Sequence, residues 1–248
     1  LIYLGVEKTL ALIDGMFSFA FYESKNDTLW LARDPMGEKP LYYSSYKNNI
    51  YFSSEASGIA SNNIQEMKSI DQDDVLHYLH LDYIPKNKSL LKGTQKVLPG
   101  EFIKVSKGKI AKKKYFSLIK KNIKNTSLIK ATDLIDKLLT KSVKERLVAD
   151  VPVGVFLSGG IDSSLIAYYA KKFNSNITSF TIKMANDTYD ESHYARLVAN
   201  KLGIKNNIAE FNNHEIMKSL EVIENKMDEP LGDPSILPTF LLSKFAKE

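Results

Sequence analysis

Cysteine is absent from the 248 residues. That excludes a disulfide framework and thiolate metal sites, and leaves no cysteine nucleophile in this stretch. It also suits a reducing compartment, so a cytoplasmic location is expected. Arginine is scarce, with only Arg33, Arg146 and Arg196 among 34 basic residues. The net charge of +5 would by itself admit a nucleic-acid partner. The lysines behind it are scattered, however, with short runs at Lys112-Lys113-Lys114 and Lys120-Lys121 that read as a solvated edge strand and a linker. No nucleic-acid partner is expected. Long apolar runs are missing too: no stretch is long enough to span a bilayer, and no basic-then-apolar opening marks a signal peptide, so no membrane association is expected. What remains, 44% hydrophobic and 25% charged residues, is the composition of a globular chain with room for one large or two small domains.

The first half carries strand periodicity. In Gly15 to Tyr22, Phe17, Phe19 and Phe21 share one face with Ser18 and Ala20 between them, which suggests a sheet covered on both sides. Thr28 to Ala32 and Leu41 to Tyr46 read as further strands. Lys47-Asn48-Asn49 turns the chain into Ile50 to Ser53, and Phe102 to Val105 pairs with Ile110 to Tyr115 across Lys107-Gly108. One helix is expected near Asp73 to Leu81. Residues 119 to 127 are polar and read as a linker.

Beyond the linker, helix and strand alternate. Leu134, Ile135, Leu138, Leu139, Val143 and Leu147 fall on one helical face. Val151 to Leu157 is an almost wholly apolar run, as in a buried parallel strand. Helices over Asp162 to Lys172, Glu191 to Leu202 and Glu215 to Met227 alternate with strands at Ile177 to Lys183 and Ile208 to Phe211. That order predicts a doubly wound α/β domain with a parallel sheet.

Between the apolar strand and its helix lies Leu157-Ser158-Gly159-Gly160-Ile161-Asp162-Ser163-Ser164. Two glycines let the backbone take positive φ and let a phosphate come close. Free N–H groups at the helix start, with serine hydroxyls, make an anion nest. Asp162 supplies a carboxylate suited to Mg²⁺ bridging phosphate oxygens. The alternative is an ordinary serine-glycine turn capping a helix. The lysine-bearing GxxxxGK[ST] pattern is not present. SGGxDS after an apolar strand instead resembles the pyrophosphate loop of ATP pyrophosphatases, enzymes that cleave ATP between its α- and β-phosphates to form adenylates. The resemblance implies that the next parallel strand lines the adenine site, with Ile182 beside Leu157, although plain core packing accounts for Ile182 equally well. Asp190-Glu191, at the next helix start, either faces the nucleotide or serves the helix dipole.

In the first half, Asp14-Gly15-Met16-Phe17-Ser18-Phe19-Ala20-Phe21, then Leu31-Ala32-Arg33-Asp34-Pro35-Met36-Gly37-Glu38-Lys39-Pro40-Leu41-Tyr42-Tyr43 and Phe52-Ser53-Ser54-Glu55, look like class II glutamine amidotransferases. Alone, Arg33-Asp34 could be a buried ion pair. Together with SGGIDSS, Val97-Leu98-Pro99-Gly100 and Asp228-Glu229-Pro230-Leu231-Gly232-Asp233-Pro234-Ser235, the pattern resembles glutamine-hydrolysing asparagine synthetases across nearly the whole chain. The resemblance implies two domains. Residues 1–120 would be the later part of an Ntn-type glutaminase sheet sandwich of α+β class, and 121–248 the early part of a doubly wound, adenine nucleotide alpha hydrolase-like synthetase domain.

It further implies ATP and Mg²⁺ as cofactors, and L-aspartate and L-glutamine as substrates. Glutamine hydrolysis would supply ammonia, through a channel, to β-aspartyl-AMP, giving asparagine, AMP and pyrophosphate. A homodimer is a further expectation. Arg33, Asp34, Gly37 and Glu55 would be glutaminase-domain motif residues, with Glu55 near the domain junction. Glu191, Asp228, Glu229 and Asp233 would be substrate-side candidates, the last three being otherwise solvated loop acids around prolines. A related enzyme with another carboxylate acceptor (β-lactam synthetase-like, or a sugar amidotransferase) or a non-catalytic paralogue acting as a binding module would share much of this pattern. The chain opens and closes inside elements, which reads as truncation at both ends. On the resemblance, the cysteine nucleophile, the glutamine-binding segments and an Asn-Gly of the oxyanion hole would precede Leu1. A second acidic loop and a catalytic lysine would follow Glu248, so the piece itself is expected to be inactive.

Overall fold

A computed structural model describes residues 1–62, 64–118, 126–184 and 190–248. The chain divides into two units, one of Leu1–Lys121 with Met227–Asp233, the other of Asn122–Lys226 with Pro234–Glu248. The expected linker falls largely on residues 119–125, outside the described residues.

The first unit contains α1 (Val6–Leu10), β1 (Ser18–Glu23), β2 (Thr28–Arg33), β3 (Tyr42–Tyr46), β4 (Asn49–Ser53), α2 (Ala56–Ala60), α3 (Gln72–Leu81), β5 (Thr94–Lys96), β6 (Glu101–Ser106) and β7 (Lys109–Lys114). Two antiparallel sheets form, ordered β1-β2-β6-β7 and β4-β3-β5. Strand β2 reads Thr-Leu-Trp-Leu-Ala-Arg with little alternation because both its faces are covered. Leu31 and Ile103 pack on Leu41, Tyr43 and Val97 of the second sheet's layer. Trp30, Ala32 and Phe102 point the other way, onto Val6 and Leu10 of α1 and onto Phe17, Phe19 and Phe21. The aromatic face expected of β1 is therefore packed on this cluster and half-buried. Its opposite face differs from expectation: Ala20 and Tyr22 are exposed, because β1 is the edge of its sheet among the described strands. Both expected hairpins form, each turning through positive φ, at Lys47-Asn48 and at Lys107-Gly108.

The second unit contains α4 (Leu128–Arg146), β8 (Gly154–Phe156), α5 (Ile161–Phe173), β9 (Thr178–Lys183), α6 (Ser192–Leu202), β10 (Lys205–Glu210), α7 (Asn213–Lys226) and α8 (Ile236–Lys247). Its sheet is parallel, ordered β10-β9-β8. Small residues on the helices, Ala167 and Ala170 of α5 with Ala195 and Ala199 of α6, let them approach closely over Val155 and Leu157. On α8, Phe245 meets Phe180 of β9 edge-on, at 5.7 Å between ring centroids. Asn212 and Glu215 exchange side-chain-to-backbone bonds of 2.9 and 3.0 Å, a reciprocal cap that starts α7.

Two expectations fail locally. The apolar run from Val151 gives a strand of only three residues, with Val151 and Phe156 exposed at 70% and 46%. Pro152 has no N–H to contribute to a ladder, and β8 pairs on one side only among the described strands. On α4, Leu139, Val143 and Leu147 join the core, whereas Leu134, Ile135 and Leu138 of the expected apolar face are exposed. Among the described residues no helix is long and apolar enough to cross a membrane.

Candidate nucleotide site and the Arg33-Asp34 corner of the first unit

Strand β8 delivers Leu157 to the edge of a cleft of about 470 Å³ in the second unit. Leu157 is buried, its N–H donating to Phe180 O at 2.9 Å and its carbonyl accepting from the Thr181 hydroxyl at 2.7 Å. The loop's point of departure is thereby fixed to β9. Thr181→Val keeps the volume and removes that buried donor. It is expected to destabilise the second unit by about 1–3 kcal/mol, read as a lower midpoint in chemical denaturation followed by circular dichroism.

The loop then closes on itself. The Ser158 and Ser163 hydroxyls lie 3.0 Å apart, the Ser163 hydroxyl donates to Gly160 O at 3.2 Å, and Gly160 N–H donates to the Ser158 hydroxyl at 3.3 Å. Gly159 takes φ +91°, a region that favours glycine. It also sits hard against the start of α6, where a Cβ would fall 2.5 Å from Tyr194 Cβ and 2.6 Å from Ala195 N. Gly160 occupies the N-cap position of α5, and among the described residues no side chain caps that helix. Its first N–H groups are thus available to an anion. The Ser164 hydroxyl is buried without a partner among the described residues.

These donors suit phosphate oxygens: two hydroxyls, a glycine-shaped backbone and an uncapped helix start. Asp162, in the first turn of α5, is exposed at the same loop. Among the described residues no group of three or more His, Cys, Asp or Glu could hold a metal ion. A single exposed carboxylate beside a phosphate-type loop has the oxygen chemistry that Mg²⁺ takes, and Asp162 would be the residue to hold it. Ile182 and Glu191 line the same cleft, and Ile182 also borders an adjacent apolar cavity of about 200 Å³. The acidic doublet divides: Asp190 accepts from Ser192 N–H and the Ser192 hydroxyl, both at 3.0 Å. Those bonds hold its carboxyl below the usual range. Glu191 is left at the cleft.

Asp228 and Glu229, expected as substrate-side candidates or solvated loop acids, make their bonds within the first unit. Asp228 accepts from Ala56 N–H at 2.7 Å and Ser57 N–H at 3.1 Å, so it caps α2 from a distance in sequence. Glu229 pairs with Lys96 Nζ at 2.5 Å and accepts from Leu90 N–H at 3.3 Å. Burial, together with these two acids, pushes the Tyr42 phenol well above its ordinary value. Asp233 is exposed at the end of the segment, and Glu55 is exposed just before α2. Nothing in the sequence marked Lys96, since a single lysine in Gln95-Lys96-Val97 carries no pattern of its own.

Arg33 and Asp34 form a backbone corner at the end of β2. Arg33 donates to Lys39 O (2.8 Å), Val97 O (2.9 Å) and Gly37 O (2.6 Å). Buried Asp34 accepts from the N–H groups of Met36, Glu38 and Lys39 at 3.0, 3.0 and 2.9 Å. The doublet thus serves the main chain on both sides, more than the simple ion pair that the sequence allowed. Gly37, at φ +71°, has no room for a Cβ, which would lie 2.7 Å from Pro99 Cγ.

Two known families match the chain in succession. Residues 2–116 match the glutamine amidotransferase domain and residues 134–248 match asparagine synthase. The chain therefore carries a glutamine amidotransferase domain followed by an asparagine synthase domain. Asparagine synthetase [glutamine-hydrolyzing] 1 of Bacillus subtilis is 34% identical over 98% of this chain and 38% of its own length. A putative asparagine synthetase [glutamine-hydrolyzing] 2 of Methanocaldococcus jannaschii is 32% identical over 95% of this chain and 46% of its own. The chain belongs to the glutamine-hydrolysing asparagine synthetase family, and spans less than half the length of these relatives. Among solved structures, a glutamine-dependent NAD+ synthetase from Acinetobacter baumannii aligns over 97% of this chain and 60% of its own, at 11% identity and a TM-score of 0.36, too loose a likeness to argue from.

Proposed function

We propose that the whole protein is an ATP-dependent asparagine synthase that takes its nitrogen from glutamine. The observation that carries the reading is the Ser158–Ser164 loop, glycine-bent and uncapped, opening onto the cleft beyond a parallel strand. In this reading Ser158, Gly159, Gly160, Ser163 and Ser164 bind the pyrophosphate end of ATP, and Leu157 and Ile182 line the adenosine side. Glu191 faces the reacting groups. Asp162 would hold Mg²⁺, which would neutralise phosphate charge. Aspartate attacks the α-phosphorus through its side-chain carboxylate and pyrophosphate leaves. Ammonia then attacks the acyl carbon of the aspartyl-adenylate, and AMP leaves with the carboxylate oxygen.

Residues 1–120 belong in this proposal to an Ntn-type sandwich and 121–248 to a doubly wound domain. The Arg33, Asp34, Gly37 and Glu55 motif serves the glutaminase half, and a cytoplasmic homodimer completes the proposal on family likeness.

The test is pyrophosphate release by the complete gene product supplied with ATP, Mg²⁺ and ammonia, with and without L-aspartate. Aspartate-dependent release is expected, falling on the order of 100-fold in Asp162→Ala. Release with a different carboxylate only would replace the acceptor, and release untouched by Asp162→Ala would remove the role given to the loop.

A further inference from the structure

Strand interiors seldom hold asparagine, whose side chain competes for backbone groups, yet β10 carries Asn206 beside Asn207. Asn206 lies opposite Ser179 of β9 in the parallel register, and Ser179 and Thr181, two positions apart, face the same side of the sheet. Both are buried. One end of the Asn206 amide lies 3.0 Å from each of their hydroxyls, and its other end is buried with no partner among the described residues. The same hydroxyls reach main-chain carbonyls, Thr181 that of Leu157 at 2.7 Å and Ser179 that of Lys205 at 3.4 Å.

Hydrogen counting decides how the amide faces. With its carbonyl toward the hydroxyls, two hydroxyl hydrogens would have to serve four contacts, and both amide N–H groups would be stranded. With its NH2 there, each N–H donates to one hydroxyl oxygen, and each hydroxyl hydrogen goes to its own carbonyl. Every contact then has a hydrogen. A single carbonyl oxygen is left over, which costs less than two stranded N–H groups. Resting on the function proposed above, we propose that Asn206 is a positioning residue for the ligase reaction: its amide donates to the Thr181 hydroxyl and commits the Thr181 hydrogen to Leu157 O, where the nucleotide loop departs. Leu157 and Thr181 both line the nucleotide cleft. A Thr181 hydrogen free to turn toward β10 would release the Leu157 carbonyl. The loop would then have to be ordered at each binding event, which weakens ATP binding with no reacting group lost.

The experiment compares the complete protein with Asn206→Leu, Asn206→Asp, Thr181→Val and the double variant Asn206→Leu/Thr181→Val. Asn206→Asp keeps the shape but, ionised, can only accept, so it draws the Thr181 hydrogen away from Leu157. Both Asn206 variants should raise KM for ATP about fivefold in ammonia-dependent pyrophosphate release, with kcat and KM for aspartate within about twofold of wild type. Because Asn206 acts through Thr181, the double variant should be no worse than Thr181→Val alone. Without ATP, hydrogen–deuterium exchange should rise in 158–164 and stay unchanged over β9. Additive effects in the double variant would overturn the proposal, as would wild-type behaviour of Asn206→Asp, which would make the side chain an acceptor. A fall in kcat together with lost protection of β9 would show that Asn206 merely holds the sheet together, and would overturn it too. Should Asn206→Leu fail to fold, Asn206→Asp decides alone, through KM and loop exchange. If the wild type itself released no pyrophosphate with aspartate, the asparagine synthase reading would fall, and exchange in 158–164 would still settle whether Asn206 holds the loop.

Discussion

Gly159→Ala is expected to abolish ATP-dependent pyrophosphate release and to lower the stability of the second unit by about 2–5 kcal/mol. Two independent costs add. An L side chain at φ +91° costs about 1–2 kcal/mol in backbone strain. The new methyl would also lie 2.5 Å from Tyr194 Cβ and 2.6 Å from Ala195 N, atoms of a helix that cannot swing aside as a side-chain tip could. Forcing α6 away from the loop is overpacking of the kind that costs about 1–3 kcal/mol. It also shifts Glu191, at the head of the same helix. Gly160→Ala provides the contrast. Its Cβ would meet only the Ser158 hydroxyl, at 3.4 Å, and its φ is −66°. That variant should keep near-wild-type stability, so thermal denaturation of the pair separates a glycine required by packing from its neighbour. Equal stability of the two would refute the steric argument.

Asp34→Ala should be the most damaging single change in the first unit, at about 3–5 kcal/mol. Three main-chain N–H groups around a tight corner lose a charged acceptor at once, and their carbonyl-bound partner Arg33 loses its nearest negative charge. Trp30, the one tryptophan of the chain, lies three positions before Arg33 on β2, so its fluorescence reports this unit. The same corner predicts a pH dependence. Burial pushes the Asp34 carboxyl upward, but the backbone amides of Lys39, Glu38, Met36 and Gly37 together outweigh it and hold it below the ordinary carboxylate range. A depressed native pKa means the unfolded chain binds the proton more readily. The stabilisation is therefore complete above about pH 4 and is lost as pH falls through the native value. Asp34→Asn should remove that part of the acid slope in Trp30-monitored unfolding, and an unchanged slope would assign the acid sensitivity elsewhere.

How much of this was legible beforehand varies with the range of the interactions. Hairpins marked by Lys47-Asn48 and Lys107-Gly108 are local, and their turn residues announce them. The aromatic face of β1 and the loop from Ser158 to Ser164 are likewise contiguous in sequence. Legibility stops where partners come from elsewhere. Val151 to Leu157 read as a buried strand on hydrophobicity alone, but Pro152 and an open sheet edge shorten it. Leu134, Ile135 and Leu138 have helical spacing whether or not anything covers them. The acids at Asp228 and Glu229 look like solvated or substrate-facing groups until Ala56, Ser57, Leu90 and Lys96 are seen around them, and no periodicity in the sequence links those positions. Short β5, three residues long, has no pattern to read at all.

The segment Met227–Asp233 also bears on how the protein is made. The bond from Ala56 N to Asp228 closes a span of 172 residues. During synthesis the first unit emerges early, yet its α2 must wait for its cap until most of the second unit has left the ribosome. Such long-range closure is entropically late and favours slow completion. Refolding of the intact chain should therefore show a fast phase in which Trp30 is buried and a slower one in which amides at Ala56 and Ser57 gain protection, the order of events following the order of the chain.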